Sequence, residues 1–140
     1  MADSSETLYF GNRIPFLAHI GVHPGEMNPD QVSAKLHFSA SLANSGGYMH
    51  GGSLMSALDF AMSAVARSSD PNELTSSTIE MKTSFIRPAA SDIEIEARCL
   101  HRGRSIAFCE ATARDTEGGL VASASGVFKL SRKAAHDHAD

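Results

Sequence analysis

Residues 50–66 read HGGSLMSALDFAMSAVA, and this stretch decides the fold. From Leu54 onward the apolar residues recur at intervals of three and four, which is the period of an α-helix. Serine and alanine fill most of the other positions, so nearly every face of this helix is apolar or small. Such a helix has to be enclosed by other parts of the chain. We expect it to end at residues 68–71, SSDP, because proline cannot continue it.

Strands are predicted on both sides of this helix. Apolar and polar residues alternate over residues 32–39, which is the pattern of a strand with one buried face. Four further strands are predicted over residues 79–85, 92–99, 106–113 and 120–130. The order of strand, helix and four-stranded antiparallel meander predicts an α+β protein, with a sheet of five to six strands wrapped around one long central helix.

The length and charge of the chain limit what it can be. Its 140 residues fit a single domain, residues 1–140, with an irregular lead-in containing one short helix over residues 1–29 and a frayed tail over residues 131–140. The net charge is −4 and the basic residues are scattered, which argues against a nucleic-acid partner. No run of about 18 apolar residues predicts a membrane span, and residues 1–9 do not resemble a signal peptide.

The two cysteines, Cys99 and Cys109, have neither the spacing of metal ligands nor the number of a disulfide framework. We expect both to be reduced, which predicts a cytoplasmic protein. The sequence His136-Asp137-His138 has some character of a metal site. Its position in the predicted frayed tail argues against that role, so no metal site is predicted.

The residues that point to chemistry lie at and beside the helix start. Asp59 is the only carboxylate inside the helix, and a lone carboxylate among apolar neighbours favours a functional role. The alternative is a structural carboxylate that is bonded to backbone amides. His50 either caps the helix and shapes its loop or contacts a ligand, and Asn44 either stabilises its turn or contacts a ligand.

Several further motifs accompany this segment, namely Thr83-Ser84-Phe85-Ile86-Arg87-Pro88-Ala89, Gly103-Arg104 and Gly118-Gly119-Leu120-Val121-Ala122. Together with Asn44-Ser45-Gly46-Gly47-Tyr48-Met49-His50-Gly51-Gly52 and Leu58-Asp59, the pattern resembles the hotdog-fold acyl-CoA thioesterases. It is most similar to the branch around the phenylacetate-pathway thioesterase, over about residues 32–130. The resemblance implies a hotdog fold and hydrolysis of an acyl-CoA thioester without a metal or redox cofactor, since coenzyme A is part of the substrate.

The residue types suit this chemistry. The backbone N–H of Gly51 at the helix start can stabilise a carbonyl oxygen that becomes negative, and glycine allows a close approach. Asp59 can act as a nucleophile or as a general base. The two residues lie about 12 Å apart along one helix, so one chain cannot easily bring them together.

The resemblance implies that two chains pair to solve this problem. Asn44, His50 and Gly51 of one chain would hold the carbonyl, and Asp59 and Thr78 of the other would hold the attacking side. Ser77 remains open as an alternative to Thr78. The loop between the helix and this strand varies in length, and Ser77, one residue away, points to the opposite face of the strand. The exposed edges of the predicted sheet also need partners, so we expect a homo-oligomer that is at least a dimer and, as a dimer of dimers, a homotetramer.

Coenzyme A also needs cations and an apolar pocket. The turn Arg102-Gly103-Arg104-Ser105 is the leading phosphate site, because guanidinium forks fit phosphates and glycine lets the backbone approach. Arg87 and Arg67 are further rim candidates. The acyl group is expected near Phe85 and the methionines at positions 49, 55 and 62, which suit medium-chain or aryl acyl groups.

Two other functions are compatible with the same fold. A hydratase or dehydratase acting on 2-enoyl thioesters would use a histidine and a carboxylate as an acid–base pair, in a differently spaced motif that is not found here. A non-catalytic acyl-thioester-binding module would keep the pocket but not the carboxylate, so Asp59 counts against it. A carrier-protein thioester also remains open as the substrate.

Overall fold

The computed structural model describes residues 6–134. The strands are β1 (Leu8–Tyr9), β2 (Asn12–Arg13), β3 (Val22–Asn28), β4 (Gln31–Leu36), β5 (Leu74–Phe85), β6 (Ile93–Arg102), β7 (Ile106–Arg114) and β8 (Leu120–Arg132). The α-helices are α1 (Pro15–Ile20) and α2 (Gly51–Ala66), and a 3-10 turn covers Ala40–Leu42. Among these residues no helix has the length and apolar character needed to span a membrane.

Six strands form one antiparallel sheet in the order β3-β4-β6-β7-β8-β5, and α2 packs against it. Nine of the sixteen residues of α2 are buried. The alternation in β6 shows why the sheet encloses the helix: Ile93 and Ile95 are fully buried, whereas Glu94 between them is exposed on the outer face. The prediction of one long central helix enclosed by an antiparallel sheet is confirmed.

The predicted four-stranded meander is wrong in one respect. Only β6, β7 and β8 follow one another in the sheet, while β5 pairs with β8 and forms the far edge. Alternation of apolar and polar residues shows which face of a strand is buried, but it does not show which strand lies beside it. The connection of residues 86–92 is no tight turn, and it lets the chain cross from one edge of the sheet to its interior.

The predicted irregular lead-in is more regular than expected. The short helix is confirmed as α1, but β3 is a true edge strand that pairs with β4 from Val22↔Leu36 to Asn28↔Gln31. Pro24 hides this strand in the sequence, although a residue without an N–H is acceptable at an edge. The register also shifts between Pro24 and Met27, which breaks the alternation.

The prediction of a frayed tail from residue 131 onward is wrong for its first two residues. Ser131 and Arg132 still belong to β8 and pair with Thr75 and Leu74. Residues 135–140, including His136-Asp137-His138, lie outside the described residues.

Arg102 stabilises the C-terminal end of α2. Arg102 Nε donates to Ala66 O at 2.9 Å, its Nη2 donates to Val65 O at 2.9 Å, and its Nη1 lies 2.7 Å from Asp30 Oδ1. Cations at this end satisfy carbonyl groups that have no intrahelical partner and oppose the helix dipole. All three nitrogen atoms are engaged within the chain, so the predicted phosphate contact of Arg102 is corrected to a helix-capping role.

Arg67 is the C-cap residue of α2. Its side chain is buried and donates to the carbonyl oxygens of Pro71 and Phe10. It is therefore not a rim residue, and the prediction that Arg67 lies at the rim is wrong.

Candidate active site

The start of α2 leaves one backbone amide free. His50 is the N-cap: its Nδ1 accepts from Gly52 N at 2.8 Å, and its carbonyl oxygen accepts from the amides of Ser53 and Leu54. An imidazole nitrogen that accepts a hydrogen bond carries no proton, so the proton of the neutral ring is on Nε2. The capping interpretation of His50 is confirmed. Within residues 6–134, the amide of Gly51 makes no hydrogen bond and is available to an oxygen atom of a ligand.

The loop before α2 is fixed by its own hydrogen bonds. Asn44 Oδ1 accepts from Gly46 N at 2.9 Å and from Tyr48 N at 3.1 Å. Met49 N donates to Ala89 O at 2.7 Å and ties the loop to the segment after β5. The turn-stabilising interpretation of Asn44 is confirmed, and its contact with a substrate stays a prediction.

An open cavity of about 320 Å³ lies at the free amide. Its walls come from Asn44, Tyr48 and Met49 of the loop, from Gly51 and Leu54 of α2, and from residues 85–89. The ring of Phe85 lies on the backbone of Gly51, because a Cβ at position 51 would be 3.2 Å from ring atoms Cε1 and Cζ. The structure thus brings together the predicted residues Asn44, Gly51, Phe85 and Arg87. Met62, in contrast, is fully buried in the core and lines no cavity wall here.

A second group of predicted site residues lies further along α2. Thr78 Oγ1 on β5 donates to Asp59 Oδ1 at 2.6 Å. Ser76 also points at α2, where its hydroxyl donates to Ser63 O, so Ser77 between them is on the opposite face. The hydroxyl beside the carboxylate is therefore that of Thr78. In the described part of the chain, no cation and no backbone amide contacts this carboxylate, so the bonds to backbone amides that the structural alternative requires are not found there. A role of Asp59 in the reaction stays a prediction.

One chain holds two candidate half-sites, one at Gly51 and one at Asp59, that are separated along α2. Gly51 and Asp59 are eight residues apart, or about 12 Å. Each half-site also includes a residue of β5, namely Phe85 beside Gly51 and Thr78 beside Asp59. Because β5 is the edge of the sheet that residues 6–134 form, both candidate half-sites lie along a strand with one side unpaired within those residues.

The Gly103-Arg104-Ser105 turn lies far from this cavity within one chain. It is exposed, and it follows Arg102, which binds the C-terminal end of α2, whereas the cavity is at the N-terminal end. A phosphate contact of these three residues therefore stays a prediction that requires a second chain. Arg87 is the arginine that lines the cavity.

The Cys109 thiol and the side chains that could bind a metal ion were also considered as parts of a site. Burial raises the pKa of the Cys109 thiol to about 12, so this thiol is a poor nucleophile near neutral pH. Across residues 6–134, the His, Cys, Asp and Glu side chains form no group of three or more that could hold a metal ion.

Sequence reasoning gave no site role to five residues that line the cavity or to Gly119 beside it; the five are Tyr48, Leu54, Ile86, Pro88 and Ala89. Tyr48 and Ile86 line the cavity and are exposed, with 44% and 53% of their surface accessible. Both lie inside motifs that carry the family resemblance, and that position is their only signal in the sequence. Gly119 lies beside the side chain of Arg87, which no local pattern reveals.

The chain is similar in sequence and in fold to thioesterases and to other proteins of known structure. The sequence profile of the thioesterase superfamily matches residues 46–122. A conserved protein of Pseudomonas aeruginosa superposes with a TM-score of 0.80 at 32% identity, over 84% of this chain and 94% of that chain. A thioesterase from Haemophilus influenzae gives a TM-score of 0.82 over 96% of this chain and 98% of that chain; at 17% identity it is a likeness of fold. A protein of Saccharolobus solfataricus, provisionally assigned as an esterase, is 28% identical over 81% of this chain and 76% of its own length.

Proposed function

The chain belongs to the thioesterase superfamily and has the hotdog fold, and on this premise we propose that it hydrolyses acyl-CoA thioesters to the free acid and coenzyme A. The family and its provisionally assigned esterase relative support thioester hydrolysis in general. The choice of coenzyme A rests on the resemblance and on the exposed arginine at the cavity. The branch around the phenylacetate-pathway thioesterase stays a prediction.

The observation that carries this proposal is the hydrogen bond from Thr78 on β5 to Asp59. The same strand ends at Phe85, whose ring lies beside Gly51 and its free amide. A carboxylate held by one hydroxyl keeps its second oxygen for chemistry. Since the two half-sites of one chain are too far apart, the site is assembled from Asp59 and Thr78 of one chain and from Gly51 of the partner.

Either of two routes fits this site. As a general base, Asp59 takes a proton from water while the water oxygen attacks the carbonyl carbon. The carbonyl oxygen becomes negative and is held by the Gly51 amide. The intermediate then collapses, the C–S bond breaks and the proton returns to sulfur. As a nucleophile, Asp59 itself attacks, expels the thiolate and forms a mixed anhydride that water hydrolyses.

Pairing along β5 would assemble the two half-sites. This strand is long, its outer side is unpaired, and Ile79 and Ile86 beside the edge are more than half exposed. A long edge with exposed apolar residues is an aggregation risk in a monomer. We therefore propose a dimer through β5, which assembles further into a tetramer.

The apolar lining of the cavity supports an aryl or medium-chain acyl group, because Met49, Leu54 and Phe85 provide apolar surface. No metal or redox cofactor takes part in either route. The two cysteines are free thiols, which supports a reducing compartment and so the cytoplasm.

The direct test is a screen of acyl-CoA esters of different chain length and of aryl-CoA esters, with detection of the released thiol. We expect turnover with at least one class and no loss of activity after treatment with a chelator. Turnover of carrier-protein thioesters alone would contradict the choice of coenzyme A, and no thioester hydrolysis at all would contradict the function.

Thr78 gives a prediction that separates it from its neighbour. Thr78→Val should lower kcat about tenfold or more, because a hydrogen bond to a charged group is lost. Thr78→Ser should keep most of the activity, since it retains the hydroxyl. Ser77→Ala is the matched control on the opposite face of β5 and should behave as wild type. Equal kcat values for Thr78→Val and wild type would show that the hydroxyl does not serve the reaction.

No observation favours the other two functions. A hydratase needs a histidine beside a carboxylate, and the pairing of chains that brings Gly51 to Asp59 would bring His50 near it too, but this histidine serves as the N-cap of α2. The Nδ1 atom of this histidine is also engaged by Gly52. A non-catalytic binding module would have no need for Thr78 to orient a carboxylate.

A further inference from the structure

Cys99 and Cys109 lie opposite each other on two neighbouring strands. Their Cα atoms are register partners in the antiparallel pairing of β6 with β7. Cys99 N donates to Asp30 O at 3.3 Å, on the side of β4, so the backbone polar groups of Cys99 turn away from β7. The two cysteines are therefore a non-hydrogen-bonded pair, in which the Cα atoms are about 4.5 Å apart and the side chains lie closest. A disulfide joins Cα atoms that are about 4.4 to 6.8 Å apart, so the backbone already suits one.

Both side chains are on the inner face of the sheet. Cys109 is buried and Cys99 is half-buried, whereas Arg98 and Phe108, their neighbours in sequence, are exposed. The two thiols also interact with each other. Burial raises the pKa of Cys109, and the charge of a Cys99 thiolate and a hydrogen bond between the two side chains raise it further. The two sulfur atoms that a disulfide would join are thus neighbours in the reduced chain.

We propose that these two cysteines are a reversible oxidation site, in which a hydroperoxide oxidises Cys99 and Cys109 then closes a disulfide between β6 and β7. The bond protects Cys99 from irreversible oxidation. The inference concerns no residue of the two candidate half-sites, so it stands whether or not the chain hydrolyses thioesters.

Both steps balance with the hydroperoxide as the oxidant. The Cys99 thiolate attacks one peroxide oxygen and the O–O bond breaks, so that Cys99 becomes a sulfenic acid and the other oxygen leaves and takes up the thiol proton. The Cys109 sulfur then attacks the Cys99 sulfur, the S–O bond breaks, and water leaves with the Cys109 proton. The two thiols lose two electrons and two protons, and the hydroperoxide is reduced to water and an alcohol, or to two waters when it is hydrogen peroxide.

The different burial of the two thiols sets the order of these steps. Cys99 is the thiol that a small oxidant reaches, because Cys109 is only 1% exposed. Cys109 is a poor nucleophile toward a dissolved reagent, but the sulfur that it attacks is held beside it, and such proximity replaces a collision. Oxidation of Cys99 also removes the thiolate charge that helps to raise the pKa of Cys109. Cys109 therefore stops the oxidation of Cys99 at a stage that thiols can reverse, before sulfinic acid forms.

Hydrogen peroxide treatment of the folded chain, followed by intact-mass spectrometry and peptide mapping, tests the inference. The cysteines of wild type should lose two hydrogen atoms and gain no oxygen, and one peptide of a single chain should contain Cys99 linked to Cys109. Dithiothreitol should restore both thiols. Sulfinic acid on Cys99 of wild type, disulfides between chains, or thiols that stay reduced would each overturn the inference, and this result decides without any variant.

Cys109→Ala and Cys99→Ala show the part that each thiol plays. Alanine suits these positions, because Ala97, Ala107 and Ala111 already occupy the same face of the two strands. In Cys109→Ala, Cys99 should gain two oxygen atoms that dithiothreitol does not remove. In Cys99→Ala, Cys109 should stay reduced at the same peroxide concentration. Oxidation of Cys109 in the absence of Cys99 would show that the proposed order is wrong.

Thermal unfolding tests the protective role. A sulfinic acid places a charge on the inner face of the sheet, which costs stability when no partner is there. After peroxide and then dithiothreitol, wild type should recover its melting temperature, whereas Cys109→Ala should melt below its untreated value. The double alanine variant reports the oxidation of other residues, such as methionine, and each change is measured against it. Equal recovery of wild type and Cys109→Ala would show that Cys109 does not protect Cys99.

Discussion

Asp59→Asn should lower kcat for acyl-CoA hydrolysis by about 10²- to 10⁴-fold, the contribution of a positioned acid or base. Asparagine has nearly the same size and keeps an oxygen that can accept from Thr78 Oγ1, which donates to Asp59 at 2.6 Å. The variant should therefore keep its melting temperature and its affinity for the substrate. It loses only the basicity and the nucleophilicity of the carboxylate, so the effect should fall on kcat.

Glu80→Gln is a matched control for this variant. Glu80 is an exposed carboxylate on the same strand as Thr78, and its substitution removes the same charge without touching the site. Stopped-time thiol release and thermal unfolding of both variants are the measurements. Wild-type turnover in Asp59→Asn would show that the carboxylate is structural and that neither chemical route is correct.

Gly51→Pro should lower kcat by about 10²- to 10³-fold, because it deletes the one N–H that is placed to hold the oxyanion. Position 51 is the first residue of α2, where proline is well tolerated since that N–H has no partner in the helix. The preceding residue, His50, already has φ −64° and ψ 137°, which is the conformation that proline requires before it. The backbone should therefore accept the change.

Gly51→Ala separates the lost amide from the added bulk. It keeps the N–H, and its Cβ would be 3.2 Å from the Phe85 ring, which must move by a few tenths of an ångström. We expect this variant to lose less than about tenfold in kcat, since the donor remains. If Gly51→Ala were as inactive as Gly51→Pro, crowding against Phe85 would explain both results, and the amide would have no special role.

The sequence was sufficient to predict α2 and its enclosure by an antiparallel sheet, for reasons visible in particular residues. The apolar period of residues 54–65 and the His50 cap mark a helix that is buried on most sides. The lone Asp59 in that helix and the glycine at its start point to both candidate half-sites. Ser77 and Thr78 point to opposite faces of β5, so only one of their hydroxyls can lie beside Asp59. The structure shows that it is the hydroxyl of Thr78.

Other features depend on contacts between distant segments, which no local pattern contains. β5 pairs with β8, and residues 86–92 connect β5 at the edge to β6 inside the sheet. The alternation of apolar and polar residues in β5 would be the same beside any other strand. Arg102 and Arg87 are equally cationic in the sequence. One is engaged by carbonyl oxygens of α2 and by Asp30, and the other lies free on Gly119. Only the tertiary structure separates the two roles.

The central claim is that each active site combines Asp59 of one chain with Gly51 of its partner, and mixing two inactive variants tests it most directly. Asp59→Asn and Gly51→Pro chains are unfolded together in equal amounts and refolded, and native mass spectrometry counts the hybrid dimers. A hybrid has one site with both changes and one site with neither. Since random pairing makes half of the dimers hybrid, we expect recovery of about a quarter of wild-type activity. If hybrids form and the mixture is no more active than the two variants separately, Asp59 and Gly51 serve the reaction within one chain and the shared site is wrong.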